Sequence, residues 1–285
     1  MPNIKKIKNA GFCYGVERAY NMALEELRKQ NGKVYSLGDL IHNKEVVNQL
    51  NKLGAVPIRD LSRIDDTENS SVIIRAHGVS KEISEKIKTM GLRKIDATCP
   101  FVKVPQNAVK EYGRKGYFIF IAGDEGHPEV EGIKSYVSEN QRMIIKSIDD
   151  IKINEKIKKA ALVSQTTLSF DTFSLLAVHL MKITEELVVI NSICDATDIR
   201  QKETKDLAKE SDLIIVIGGM HSANTKRLKE IAAKFTVTYQ VETENDLRKE
   251  WFCNKENIGI TAGASTPDFI IKRVEDKIKQ IIKEV

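Results

Sequence analysis

Short runs of β-branched and aliphatic residues alternate along the whole chain with longer segments whose apolar positions recur at helical spacing. KVYSL at 33–37, SVIIR at 71–75, YFIFIA at 117–122, AALVS at 160–164, LIIVIGG at 213–219 and NIGITA at 257–262 are too short for helices and read as buried strands. The stretch VERAYNMALEELRKQ places Val16, Ala19, Tyr20, Ala23 and Leu27 on one helical face, with Asn31-Gly32 as its stop. Alternation of this kind builds parallel sheets covered by helices, so the predicted class is α/β.

Three strand ends deliver a cysteine into the start of a helical pattern. The clearest is KIDATCPFV, where a strand stops at Asp96 and Cys99 is followed at once by Pro100. Cys13 in KNAGFCYGVERA and Cys194 in VVINSICDATDI stand in equivalent places, after predicted strands that include Ile4–Asn9 and VVINSI. A helix N-terminus behind a cysteine stabilises its thiolate through the dipole and unpaired backbone N–H groups. The cysteines are 86 and 95 residues apart, and a third of the 285-residue chain is 95. The expectation is three similar parallel-sheet domains, 14–95 with Cys13 at its edge, 96–190 and 191–285, with the N-terminal strand 1–13 a candidate to join the last. Arranged about a pseudo-threefold axis, these domains would bring the three thiolates to one metal site.

Composition narrows the function classes. Hydrophobic residues make up 41% and charged residues 30%, and no apolar run approaches the ~18 to 20 residues needed to span a bilayer. The opening MPNIKKIKNAGF carries charges and no apolar signal core, so the chain is expected in the cytoplasm, where cysteines serve metals, catalysis or packing. The net charge of +5 is spread as Lys/Glu interleaving on helices such as KETKDLAKESD, which argues against a nucleic-acid or membrane partner.

The remaining strand ends are rich in polar groups. They carry His42, His77, His127 and Glu129 on either side of Pro128, Thr166 within SQTT, Ser222 and Asn224 after Gly218-Gly219, and Ser265 in GAST. Ligands of open α/β sheets bind at this edge, and glycines beside hydroxyl and amide side chains at a helix start make an anion cradle. Neither the GxxxxGK[ST] nor the GxGxxG pattern is present. Three widely spaced thiolates without a CxxC pair are a poor match to structural zinc. They suit a 4Fe-4S cluster held through three irons with the fourth open; a 3Fe-4S form is what remains if that iron is lost. Cys253, in the charged stretch KEWFCNKENI, and His179, inside an apolar helix, read as non-ligands. The rival is a zinc-binding or metal-free module whose loops hold a phosphorylated ligand without reaction.

The motifs GFCYGV, His42-Asn43, AHGVS, DATCP, GHPEVEG, QTTLS, the Cys194-x-Ala-Thr loop with RQ behind it, HSANTKRL and TAGASTPD together resemble the LytB family of 4-hydroxy-3-methylbut-2-enyl diphosphate reductases over essentially the whole chain. The resemblance implies a trefoil of three α/β domains around a 4Fe-4S cluster on Cys13, Cys99 and Cys194. It implies the last step of the methylerythritol phosphate route to isoprenoids, with ferredoxin or flavodoxin as external electron donor. His42, His77, His127, Ser222, Asn224 and Ser265 would bind the diphosphate, Glu129 would relay protons, and Thr166 would orient the substrate hydroxyl. The chain departs from the family pattern at Asp124 and Glu125, which add charge before His127, at Asp195, and at Ala223, where a second serine is common.

Overall fold

The computed structural model describes residues 2–29, 32–153 and 155–284; Asn31, half of the predicted helix stop, lies outside them. Gly32 takes φ +78°, a conformation natural to glycine.

Among the described residues three four-stranded parallel sheets form, all on one plan. A lone strand, β1 (Asn3–Lys6), opens the chain and α1 (Tyr14–Arg28) follows. The next sheet contains β2 (Lys33–Leu37), β3 (Ala55–Ile58), β4 (Ser70–Ile74) and β5 (Arg93–Asp96), connected through α2 (Lys44–Lys52) and α3 (Lys81–Thr89), in spatial order β3-β2-β4-β5. After α4 (Pro100–Arg114) come β6 (Phe118–Ala122), α5 (Pro128–Lys134), β7 (Arg142–Ile145), β8 (Ile157–Ser164), α6 (Phe170–Ile183) and β9 (Thr184–Val189), in order β7-β6-β8-β9. The last part runs α7 (Asp195–Lys209), β10 (Leu213–Ile217), α8 (Ala223–Ala232), β11 (Val237–Val241), β12 (Asn257–Ala262) and α9 (Asp268–Glu284). Its sheet has the order β1-β12-β10-β11, so the N-terminal strand supplies the fourth position, pairing from Asn3↔Asn257 to Lys6↔Ile260.

Packing divides the chain into two compact units, one comprising Met1–Val16, His42–Val46 and Asp195–Val285, the other Glu17–Ile41 and Val47–Cys194. The first holds one sheet and the second two.

The cores show why these runs are strands. In β6 and β8, Ile119, Ile121, Ala161 and Val163 face Val109 of α4 and Val130 and Ile133 of α5, while Phe120, Ala122, Ala160 and Leu162 face Phe173, Leu176 and Leu180 of α6. Both faces of the sheet are covered, so the runs Phe118–Ala122 of β6 and Ala160–Val163 of β8 are apolar without a break. In the other unit, Leu213, Ile215, Ile217, Ile258 and Ile260 pack on Ile270, Ile271, Val274 and Ile278 of α9. Each such buried aliphatic side chain contributes about 2 kcal/mol. Among the described residues no helix is long and apolar enough to cross a membrane.

Several element boundaries differ from the pattern reading. β1 ends at Lys6, short of the predicted Asn9, because Asn9 turns away to bond Glu203 through its N–H at 3.0 Å and its Nδ2 at 2.6 Å. β9 ends at Val189, since the Asn191 side chain accepts from Ile193 N at 3.2 Å and turns the backbone out of the ladder. Pro105 sits in the second turn of α4 and Pro100 at its start, where a missing N–H costs nothing. β3 and β11 are edge strands that the pattern passes over, and Pro57 is tolerated in β3 because one side of an edge strand needs no ladder bond.

Candidate functional site

In each sheet the chain leaves one central strand toward one edge and returns to the neighbouring central strand, so the crevice at their C-terminal ends is a topological switch point. These strand pairs are β2/β4, β6/β8 and β10/β12. His42 and His77 follow β2 and β4, His127 and Thr166 follow β6 and β8, and Ser222 and Ser265 follow β10 and β12.

The three cysteines are equivalent in backbone terms. Cys13 N donates to the Ala264 carbonyl at 3.2 Å, Cys99 N to Ala76 at 2.9 Å and Cys194 N to Thr166 at 3.1 Å. Each acceptor lies two residues beyond the end of a central strand, β12, β4 or β8. Behind each cysteine a 15-residue helix begins at once, α1, α4 or α7. The Cys99 thiol does not cap α4, and all three cysteines are half-buried and outside any disulfide. This donor set, three cysteine sulfurs at helix starts, fits an iron–sulfur cluster chemically. Among the described residues no three His, Cys, Asp or Glu side chains are gathered as a metal site. Cys253 is different: it ends a short 3-10 turn, is exposed, and directs its sulfur to the Lys249 carbonyl 3.9 Å away.

The unit formed by residues 17–41 and 47–194 gathers the acid-base groups. Glu129, 1% exposed near the start of α5, accepts through Oε1 from Thr166 N at 2.7 Å and through Oε2 from Thr166 Oγ1 at 2.9 Å. Burial pushes its carboxyl up from 4.5 to about 7, against the two Thr166 hydrogen bonds, which favour the carboxylate. His127 caps α5 by accepting from Glu129 N at Nδ1, 3.2 Å, which leaves Nε2 as the ring's donor. The rings of His77 and His127 meet edge to face with centroids 5.7 Å apart. The structure therefore brings together His77, His127, Glu129 and Thr166, with the backbone of Cys194 on Thr166. The neighbouring Asp124, a departure from the family pattern, is paired with Lys146 at 2.8 Å.

The other unit builds a different surface at the start of α8. Ser222 caps the helix by accepting from Thr225 N at 3.3 Å, and its own O–H remains a donor. Asn224, 5% exposed, has no hydrogen-bond partner for either Oδ1 or Nδ2, and Thr225 Oγ1 is likewise buried without one. Gly219 lies so close to the His42 carbonyl that a Cβ would come within 2.6 Å of it. Ser265 Oγ donates to that same carbonyl at 3.2 Å, so His42, Ser222, Asn224 and Ser265 belong to one neighbourhood. Buried groups left with hydrogen bonds to make, at a helix start, fit an anion.

Arg18 carried no signal in the sequence, since it looks like an ordinary charge on a helix. Thr225, within HSANTKRL, and Arg200, the arginine of the RQ pair behind the Cys194 loop, lie inside motifs that the sequence offers, and what the structure adds is their burial, at 0% and 3% exposed.

Comparison with known proteins extends this picture. The signature of the LytB protein family matches residues 4–279. The chain is 40% identical over 284 residues to the 4-hydroxy-3-methylbut-2-enyl diphosphate reductase of Aquifex aeolicus, covering 99% of this chain and 97% of that one. A solved structure of (E)-4-hydroxy-3-methyl-but-2-enyl diphosphate reductase, the terminal enzyme of the non-mevalonate pathway, superposes with a TM-score of 0.71 at 40% identity, covering 98% of this chain and 100% of the other. The Plasmodium falciparum E-1-hydroxy-2-methyl-but-2-enyl-4-diphosphate reductase superposes with a TM-score of 0.90 at 30% identity, covering 98% and 87%. From motif order, sheet plan and likeness along its length, the chain belongs to the LytB family.

Proposed function

We propose that the chain catalyses reductive dehydroxylation of (E)-4-hydroxy-3-methylbut-2-enyl diphosphate to isopentenyl and dimethylallyl diphosphate, the last step of the methylerythritol phosphate pathway. In the reaction the allylic C–O bond breaks, two electrons and two protons are taken up, and the oxygen leaves as water while carbon gains one hydrogen. The observation that carries the reading is Glu129, a carboxyl with a pKa of about 7, buried and held at both oxygens by one threonine. A group poised near neutrality is the form a general acid needs, and its family membership says for which reaction.

Cys13, Cys99 and Cys194 are the ligands of a 4Fe-4S cluster in this proposal, supported by their matching backbone hydrogen bonds and helix starts. Such a cluster, when bound, supplies electrons singly and offers one open Lewis-acidic iron. Glu129 holds the proton at a carboxyl oxygen; Thr166 Oγ1, which donates to Glu129 Oε2, has lone pairs left to accept from the substrate hydroxyl and orient it. His127 donates from Nε2, and with His42, His77, Ser222, Asn224 and Ser265 binds the diphosphate. Support for that set comes from the unpartnered Asn224 amide and the close backbone approach at Gly219. The electron donor in this proposal is an external protein such as a ferredoxin or flavodoxin, as the family resemblance implies.

The test is anaerobic purification with iron and sulfide counted per chain beside turnover. About four of each is expected, with a brown colour, and most of the iron lost in Cys13→Ser, Cys99→Ser and Cys194→Ser alike. A colourless protein carrying zinc and inert toward the diphosphate would sink the reading.

A further inference from the structure

Two arginines grip the loops that lead to two of the cysteines, and each stands on a helix that begins at a different cysteine. On α7, directly after Cys194, Arg200 donates from Nε to the Asn9 carbonyl at 2.9 Å, from Nη2 to Gly11 at 3.0 Å and from Nη1 to Ala196 at 3.3 Å. Asn9 and Gly11 stand four and two residues before Cys13. Glu203, three positions further along α7, grips the same loop through Asn9. On α1, directly after Cys13, Arg18 donates from Nη1 to the Thr98 carbonyl at 3.2 Å and from Nη2 to Asp96 at 3.4 Å, one and three residues before Cys99.

The two arrangements are alike: an arginine five or six residues beyond one cysteine takes two alternate carbonyls ahead of another. On α4, after Cys99, the corresponding positions are Val104 and Pro105, which have no side-chain donor. The approach to Cys194 is fixed instead by Ser192, whose Oγ receives Ser164 N at 2.8 Å and donates to the Ser164 carbonyl at 2.7 Å.

A rigid planar guanidinium holds two carbonyls at a fixed separation, a geometry that the point charge of a flexible lysine does not impose. Cys13 needs this most, because six residues separate it from the end of β1 and one of them, Gly11, is at φ +106°. The geometry points to Arg18 and Arg200 as positioning residues that preset the thiols of Cys99 and Cys13 before metal arrives, while Cys194 is preset by the Ser164–Ser192 hydroxyl pair. The inference rests on the reading of the three cysteines as cluster ligands.

The test measures iodoacetamide alkylation of each cysteine, resolved by peptide, in the full-length metal-free chain under anaerobic conditions. In Arg200→Gln the Cys13 rate should rise about tenfold while Cys99 and Cys194 stay within about twofold; in Arg18→Gln the rise should fall on Cys99 alone. Arg→Lys at either position should give an intermediate rise, since a lysine keeps the charge but not the fork. After reconstitution, both glutamine variants should lose iron to a chelator faster than wild type. An equal rise at all three cysteines together with a lower Tm would mean general loosening and overturn the proposal, as would unchanged rates. Wild-type chain that takes up no iron yet shows the selective pattern removes the cluster reading and leaves the clamps standing. Wild type with about four irons and a flat pattern does the reverse.

Discussion

The surroundings of Glu129 and the cradle at the start of α8 use burial in opposite ways. Glu129 is buried with both oxygens already engaged by Thr166, so its surroundings are complete within the protein and their effect is to set a pKa. Asn224 and Thr225 are also buried, but with polar atoms that have no partner, an arrangement that costs about 1 to 3 kcal/mol for each such group unless something else supplies the bond. In the proposed reading the satisfied group handles a proton and the unsatisfied ones take the ligand. The two can therefore be separated by substitution.

The largest effect should come from Glu129→Gln, which keeps the shape but cannot cycle a proton. Turnover with a chemical one-electron donor should fall by about 10² or more, while iron content and diphosphate affinity stay within about a few-fold. Near-normal turnover would send the proton by another route, through Thr166 and the substrate's own diphosphate, and the contrast between the two regions would collapse.

Asn224→Leu tests the other side. Pyrophosphate should compete with substrate about 10- to 100-fold less well, with iron content unchanged and Tm level or higher, because a buried group lacking partners has been removed. A fall in Tm with unchanged pyrophosphate inhibition would make Asn224 a structural residue and the cradle a packing detail.

The pH dependence of stability sharpens the comparison further. Folded Glu129 keeps its proton up to about 7 whereas an unfolded glutamate releases it near 4.5, so between these values the folded state binds more protons. Its contribution to stability is then fully present below pH 4.5 and is lost as pH rises through about 7, an effect on the order of a few kcal/mol. Wild type measured against Glu129→Gln by denaturant unfolding at pH 5 and pH 8 should lose this increment, and the variant should not. Smallest of all, Cys253→Ser should leave iron content and turnover as they were, given an exposed thiol at the end of a 3-10 turn; iron loss equal to that of Cys99→Ser would undo the argument from equivalent cysteines.

Much of the candidate site was legible in the chain because its residues sit at strand ends, and strand ends are marked locally: an apolar run stops, a glycine or proline follows, and a helical period begins. Cys99 after Asp96, His127 before Pro128 and Ser222 after Gly218-Gly219 all announce themselves this way. The near-equal spacing of the cysteines also needed only counting. β3 and β11 were not legible, because edge strands are half exposed and lack the continuous apolar run that marks a strand covered on both faces.

The sequence by itself determined the α/β class, the three cysteines and the loops that hold the polar residues, since periodicity and turn chemistry act over a few neighbouring residues. Only the tertiary structure decided which distant partners meet. It paired β1 with β12 across the length of the chain, set Thr166 on both oxygens of Glu129, left Asn224 without a partner, and turned Arg18 and Arg200 from surface-type charges into clamps on backbone carbonyls. The physical reason is that a hydrogen bond between residues tens or hundreds of positions apart depends on the register and packing of whole sheets, which no local window of sequence contains.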